Sequence, residues 1–132
     1  MRVLVDTSVW SLALRRKGGG ETAQHLAGLI EASLVVLIGP VRQEILSGIS
    51  DADTFNRLNA HLEAFEDLPI TTQDYVMGAQ FYNTCRKHGI QGSHTDFLIC
   101  AVAHRNNLNV FTTDKDFDNY ARHLPVRVYN AR

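Results

Sequence analysis

The stretch "VFTTDKDF" (residues 110–117) begins like a buried strand and ends in acid. Val110 and Phe111 suit a sheet interior, Thr112 and Thr113 lead out of it, and Asp114, Lys115, Asp116 and Phe117 open a helix. The N-terminus changes in the same way. "MRVLVD" is a short apolar run, Val3, Leu4 and Val5, that stops at Asp6. A third apolar run, "LVVLIG" (34–39), is followed by Pro40, which suits the first turn of a helix because its missing N–H costs nothing there. Three short strands, each running into a helix, are the skeleton from which the rest follows.

The segments between them have helical spacing. Val9, Trp10, Ala13 and Leu14 share one face of a helix that "GGG" (18–20) breaks, and Leu26, Leu29 and Ile30 share a face of a second helix over residues 21–33. The helix from Pro40 carries Val41, Glu44, Ile45 and Leu46 and ends near Gly48. Asp51 or Asp53 caps a longer one with Phe55, Leu58, Leu62 and Phe65 in register. "LPIT" (68–71) is a short extended piece. Thr72 is expected to cap the helix from Gln73, which carries Tyr75, Val76, Ala79 and Tyr82 and stops near His88 and Gly89. "TDFLICAVAHRN" (95–106) is an apolar helix, residues 109–112 a strand, 115–123 a short helix, and "VRVYN" (126–130) a last edge strand. This alternation predicts an α/β fold, with a mostly parallel sheet and helices on both faces. No repeat or linker interrupts it, so residues 1–132 are expected to form a single domain.

Composition narrows the function. With 13 Lys plus Arg against 14 Asp plus Glu, the net charge is −1, which argues against a purely electrostatic nucleic-acid binder. Nucleic acid remains open as a substrate, since metals can neutralise an acidic centre. The two cysteines, Cys85 and Cys100, have no metal-ligand spacing and fit small buried residues in a reducing compartment. No run is apolar enough for a membrane span and no signal peptide is visible, so the expected location is the cytoplasm, with no membrane partner.

In open α/β sheets, sites form outside the carboxyl ends of the strands. Asp6 ends the first strand and Asp114 follows the strand of residues 109–112. Glu44 lies about one turn past Pro40, and Asp96 stands near the start of the apolar helix. Singly, each has an ordinary structural use as a cap, a first-turn acid or a solvated side chain. Jointly they meet at one mouth of the sheet. Packed carboxylates repel unless cations offset their charge, and Mg²⁺ or Mn²⁺ takes oxygen ligands of this kind. Such a cluster can activate a water and orient a phosphodiester. Thr7, Ser8 and Thr112 add hydroxyls suited to orienting carboxylates or waters. Asp116 is explained by capping, though an approach to a second metal stays open; between the two acids of "TTDKDF", Asp114 is the one expected to be essential.

"VLVDTSVW", "VRQEIL", "HTDFLICAVA" and "VFTTDKDF" together resemble the four acidic motifs of the PIN domain, in the usual order and approximate spacing, over essentially the whole chain. The small size is similar to the VapC-type toxins of toxin–antitoxin pairs. This resemblance implies a three-layer α/β/α domain and a Mg²⁺- or Mn²⁺-dependent endoribonuclease, with RNA as substrate, a cognate antitoxin as inhibitor and a homodimer as assembly. Carried over by position, it implies Asp6, Glu44, Asp96 and Asp114 as catalytic residues. Asp6, Asp96 and Asp114 hold the metal in this reading, Glu44 and Asp116 are further possible ligands, and Thr7, Ser8 and Thr112 support them. The asparagine frequent in the first or fourth motif is replaced here by Ser8 and Thr113, both polar.

Arg15, Arg16 and Lys17 form the tightest basic cluster and are candidates for phosphate contacts with RNA; a solvated helix end explains them equally. His94 is the histidine expected nearest the site. The alternatives to an RNA-cleaving toxin are a PIN-like nuclease in RNA processing or on flap-like DNA, an Asp6-based phosphotransfer enzyme and an inactive binding module. The phosphotransfer reading lacks a general acid, because Ser8 stands two residues after Asp6 where such sites usually carry a second aspartate.

Overall fold

The structure is a computed structural model that describes residues 1–14 and 20–130. In chain order the elements are β1 (Val3–Val5), α1 (Thr7–Ala13), α2 (Gly20–Glu31), β2 (Val35–Val36), α3 (Gly39–Leu46), α4 (Ala52–Leu62), α5 (Thr72–Lys87), α6 (His94–Arg105), β3 (Asn109–Phe111) and α7 (Asp116–Ala121). The strands form one parallel sheet in the order β2-β1-β3, with Val3 opposite both Val35 and Asn109.

The apolar runs explain the layering. Successive strand residues point to opposite faces, yet Val3, Leu4 and Val5 are all buried, so helices cover both sides. From β1 the chain crosses to β2 on one side and then passes over β1 to β3 on the other. With right-handed crossovers, the two connections lie on opposite faces. The chain segments leaving the carboxyl ends of the neighbours β1 and β3 therefore turn to opposite faces, leaving a crevice outside those ends where α/β sheets place their ligands. The backbone N–H of Asp6 still donates to the Phe111 carbonyl at 2.9 Å, so the two strand ends stay tied at this crevice.

Helix ends are chemically defined. Ser33 (φ 58°) and Asn107 (φ 57°) adopt the left-handed conformation after α2 and α6, and the following amides return to Leu29 and Ala103. These are Schellman closures made without glycine; α5 makes the same closure with Gly89 (φ 74°), and Ile90 donates back to Cys85. Asp51 caps α4. The cap of α5 is Thr71, not Thr72: Asp74 at N3 accepts from the Thr71 N–H, closing a capping box that position 72 could not form. Asp74 also accepts two bonds from Arg105, at 2.6 and 2.9 Å, binding the end of α6 to the start of α5. Arg42 does similar work for α4, donating to the carbonyls of Leu62 and Phe65 and to Asp67.

Two strand expectations shorten. "LVVLIG" pairs with β1 through Val35 and Val36 and bridges Asp67 through Leu37 before Gly39 starts α3, and "VRVYN" is a single parallel bridge of Val128 to Val110 rather than an edge strand. Trp10 is a buried core residue, and the partly buried Phe65 packs against it edge-on at 5.4 Å. Cys85 and Cys100 are free and buried as expected. Among the described residues, no helix is long and apolar enough to cross a membrane.

Candidate active site

Asp6 stands in the crevice because the apolar run of β1 ends there. Its carbonyl accepts the first turn of α1, while its carboxylate makes no cap and turns to the end of β3. It is 6% exposed, and its Oδ2 accepts from Ser8 Oγ at 2.8 Å and from Thr112 Oγ1 at 2.9 Å. Each hydroxyl has one proton, and both protons go to Asp6. The hydroxyl oxygens in turn accept backbone N–H groups: Ser8 that of Thr113, Thr112 that of Asp114, each at 3.0 Å. The segment leaving β3 is thus hung on Asp6 through two hydroxyls 104 residues apart. Ser8 uses its proton on Asp6, so no general acid faces that carboxylate from position 8.

Asp114 is half-buried, and its Oδ1 accepts the N–H of Asp116 at 2.9 Å. Asp114 therefore organises the start of α7, and Asp116 itself is exposed. Glu44, one turn into α3, is exposed; Thr7 Oγ1 donates to its Oε1 at 2.7 Å, tying it to the residue after Asp6. Asp96 lies in the first turn of α6, its N–H capped by Ser93 Oγ at 3.1 Å. Its Oδ2 accepts the hydroxyl of Tyr120 at 2.7 Å. Burial, and the charges of Asp6 and Asp114, hold the Asp96 carboxyl above its ordinary range against the opposing pull of the Tyr120 and Ser93 hydroxyls. Burial also raises Tyr120, reinforced by the bond to Asp96 and the charges of Asp96, Asp116 and Asp114. These mutual effects place Asp6, Asp96, Asp114 and Tyr120 in one electrostatic neighbourhood.

Among the described residues the two salt bridges are Arg42–Asp67 and Arg105–Asp74, so neither offsets the acids of the crevice. The donor set of hard carboxylate oxygens backed by hydroxyls fits Mg²⁺ or Mn²⁺. Among the described residues no three His, Cys, Asp or Glu side chains stand close enough to hold an ion by themselves. A magnesium-type site does not require that, because such ions keep several waters and take one or two carboxylates directly.

A cleft of about 540 Å³ lined by Thr7, Pro40, Gln43, Glu44, Ser47 and Thr95 opens beside the acids. A second, of about 740 Å³, shares Glu44 and Ser47 with it and continues between α1, α3 and α4 past Ile45, Arg57 and His61. His94, the histidine expected nearest the acids, starts α6 and stacks on Tyr82 with ring centres 5.0 Å apart. The candidate RNA contacts Arg15, Arg16 and Lys17 lie outside the described residues. Tyr120 is the site residue that sequence reasoning missed. Its signal was available: a tyrosine buried inside a helix needs a partner for its hydroxyl.

The PIN domain family model matches residues 3–123. The chain is 32% identical over 124 residues to "VapC ribonuclease Mb1587" of Mycobacterium bovis and to "Ribonuclease VapC11" of Mycobacterium tuberculosis, matches that cover 91% of this chain and 92% of each relative. Among solved structures, it resembles FitAcB from Neisseria gonorrhoeae with a TM-score of 0.80 at 26% identity, over 98% of this chain and 97% of the other. VapBC2 from Rickettsia felis, bound to a DNA fragment from its promoter, matches with a TM-score of 0.80 at 15% identity, over 98% of both chains, a likeness of fold.

Proposed function

The chain belongs to the PIN domain family, and on that premise we propose that it is a divalent-metal-dependent endoribonuclease toxin restrained by a cognate antitoxin. What supports the reading is the crevice between β1 and β3, where Asp6 is held by the Ser8 and Thr112 hydroxyls, burial together with the charges of Asp6 and Asp114 raises the Asp96 carboxyl, and neither described salt bridge offsets these acids. Its relatives named as VapC ribonucleases support RNA as the substrate.

In this reading Asp6, Asp96 and Asp114 would hold Mg²⁺ or Mn²⁺, one or two of them directly and the rest through water, with Glu44 a further ligand directly or through water. Bound there, the ion supplies a water of lowered pKa and positive charge for the phosphodiester. The chain's own residues do the positioning. Ser8 and Thr112 fix Asp6, Thr7 fixes Glu44, and Asp114 holds the first turn of α7. Asp116 is left as a helix-start residue that contributes little to cleavage. Arg15, Arg16 and Lys17 are proposed, from the sequence, to contact RNA phosphates.

The cleft past Ile45, Arg57 and His61 is the proposed seat of an antitoxin segment, because a chain lying there also reaches Glu44. On α5, Tyr75 and Val76 are 58% and 54% exposed, and this face is proposed to pair with a second copy. The catalytic reading has a chemical test. Purified chain incubated with unpaired RNA and Mg²⁺ is expected to leave 5′-phosphate ends that ligate directly to a linker. Fragments with 5′-hydroxyl ends contradict it, since they arise when the 5′-oxygen leaves, as in attack by the 2′-hydroxyl, rather than the 3′-oxygen.

A further inference from the structure

Among the described residues two helices have a Ser or Thr N-cap with Asp three residues on, and they end differently. At α5, Thr71 and Asp74 close a reciprocal box, each side chain bonded to the other's backbone N–H. At α6, Ser93 makes its half by accepting the Asp96 N–H, but the Asp96 carboxylate accepts the Tyr120 hydroxyl, at 2.7 Å across 24 residues. A capping box is the local alternative for an acid at N3. Something therefore draws Asp96 away from the helix end, and Tyr120 is the group that does so.

Tyr120 is built for this. It is fully buried on α7, with Phe97 tilted against its ring at 4.9 Å and Phe117 edge-on at 5.1 Å. The loop before α6 closes the cradle. A Cβ on Gly92 would overlap the Tyr120 hydroxyl and lie 2.8 Å from Tyr120 Cζ and 2.9 Å from Phe97 Cζ. Position 92 is glycine because the hydroxyl passes there on its way to Asp96. A tyrosine that only filled the core would not need its oxygen threaded past a backbone to reach an acid.

We propose that Tyr120 is a positioning residue for the metal ligand Asp96: its hydroxyl, held in the cradle of Gly92, Phe97 and Phe117, keeps the Asp96 carboxylate out of a capping box and presented to the cation. This rests on the assignment of Asp96 as a metal ligand under the proposed function. Tyr120 donates to Oδ2 of Asp96 and so would fix the orientation of the carboxylate that holds the ion. It works on Asp96 as Thr112 and Ser8 work on Asp6 and Thr7 on Glu44, so three of the acids carry a hydroxyl partner. Groups that orient metal ligands in this way typically control affinity by about tenfold to a hundredfold.

The test uses the full chain and Mn²⁺ as the probe, with free Mn²⁺ read from its paramagnetic resonance signal and unfolding followed in EDTA. Tyr120→Phe keeps the ring and removes only the hydroxyl. It is expected to weaken Mn²⁺ binding by about tenfold or more while remaining folded. Gly92→Ala, which displaces the hydroxyl from the other side, is expected to weaken it in the same direction. Asp96→Asn is the reference for loss of the ligand. Tyr120→Phe binding Mn²⁺ as the wild type does, while Asp96→Asn is impaired, overturns the role of Tyr120 and leaves the metal site standing. Unimpaired binding by Asp96→Asn overturns the ligand assignment, and the role of Tyr120 with it.

Discussion

Replacing Thr112 with valine probes how the end of β3 holds the acids. Thr112 Oγ1 lies 2.9 Å from Asp6 Oδ2 and 3.0 Å from the Asp114 nitrogen, so one hydroxyl serves two carboxylate-bearing residues. Valine keeps the shape and deletes both bonds. Hydrogen bonds to charged groups contribute about 1.5–3 kcal/mol. Ser8 still donates to the same Asp6 oxygen at 2.8 Å, and Asp114 is only half-buried, so water can replace the lost acceptor there. These two facts favour the lower part of that range, about 2 kcal/mol. In a domain of this size each kcal/mol moves the midpoint by about 4 °C, so Thr112→Val should melt about 8 °C below wild type in EDTA. Thr112→Ser loses only a methyl group, worth at most about 0.8 kcal/mol, and should melt within about 3 °C of wild type. In cleavage, Asp6 and Asp114 both lose orientation, and the expected cost to the valine variant is about tenfold to a hundredfold. Initial rates on an unpaired RNA oligonucleotide at saturating Mg²⁺, set beside the melting curves, measure both effects. A valine variant that melts and cleaves like wild type, or a serine variant as impaired as valine, refutes the reasoning.

Three further outcomes follow from the same geometry. Asp74→Ala leaves Arg105 without its partner and opens the α5 box, so the unfolding midpoint should fall in thermal or urea unfolding, with cleavage per folded molecule unchanged. Burial of Asp74 is outweighed by Arg105 and the Thr71 bonds, so its carboxyl lies below the ordinary value of 3.8; its stabilisation is present above that value and is lost as pH falls through the lower folded one, and an acid titration of Asp74→Ala should lack this loss. Asp96 has the opposite sign. Raised by burial and by Asp6 and Asp114, it stays protonated in the folded metal-free chain after the unfolded chain has ionised, so stability falls as pH rises above 3.8 through the folded value; in EDTA at neutral pH, Asp96→Asn should melt above wild type although it is inactive. Asp114→Asn should lose at least about a hundredfold in cleavage and Asp116→Asn less than about tenfold, because Asp116 is exposed and only its backbone meets Asp114.

What the sequence made legible was the part governed by local chemistry. Val3 to Val5 and Val110 to Phe111 stop being apolar where the sheet stops, so the placement of Asp6 and Asp114 at its carboxyl edge followed from composition alone. Pro40 and the apolar run from Thr95 mark helix starts, which put Glu44 and Asp96 near that edge, though the Ser93 cap of α6 was not read. The partners of these acids were not legible, because each bond crosses the fold. Thr112 meets Asp6 over 106 residues, Thr7 meets Glu44 over 37, and Tyr120 meets Asp96 over 24. No periodicity encodes such pairs. The same limit explains the shift from Thr72 to Thr71, where two adjacent threonines compete and Asp74 decides. It also explains "VRVYN", whose strand-like residues find one bridge partner at Val110 rather than a ladder.

The central claim is that Asp6, Asp96 and Asp114 form one metal-dependent centre for RNA cleavage. Cleavage of an unpaired RNA by the purified chain, titrated with Mg²⁺ or Mn²⁺ from an EDTA-stripped start, tests it most directly when Asp6→Asn is run alongside. The account predicts no cleavage in EDTA, recovery on adding either ion, and no recovery in Asp6→Asn at any ion concentration although the variant remains folded. Full cleavage in excess EDTA, or wild-type cleavage by Asp6→Asn, contradicts it.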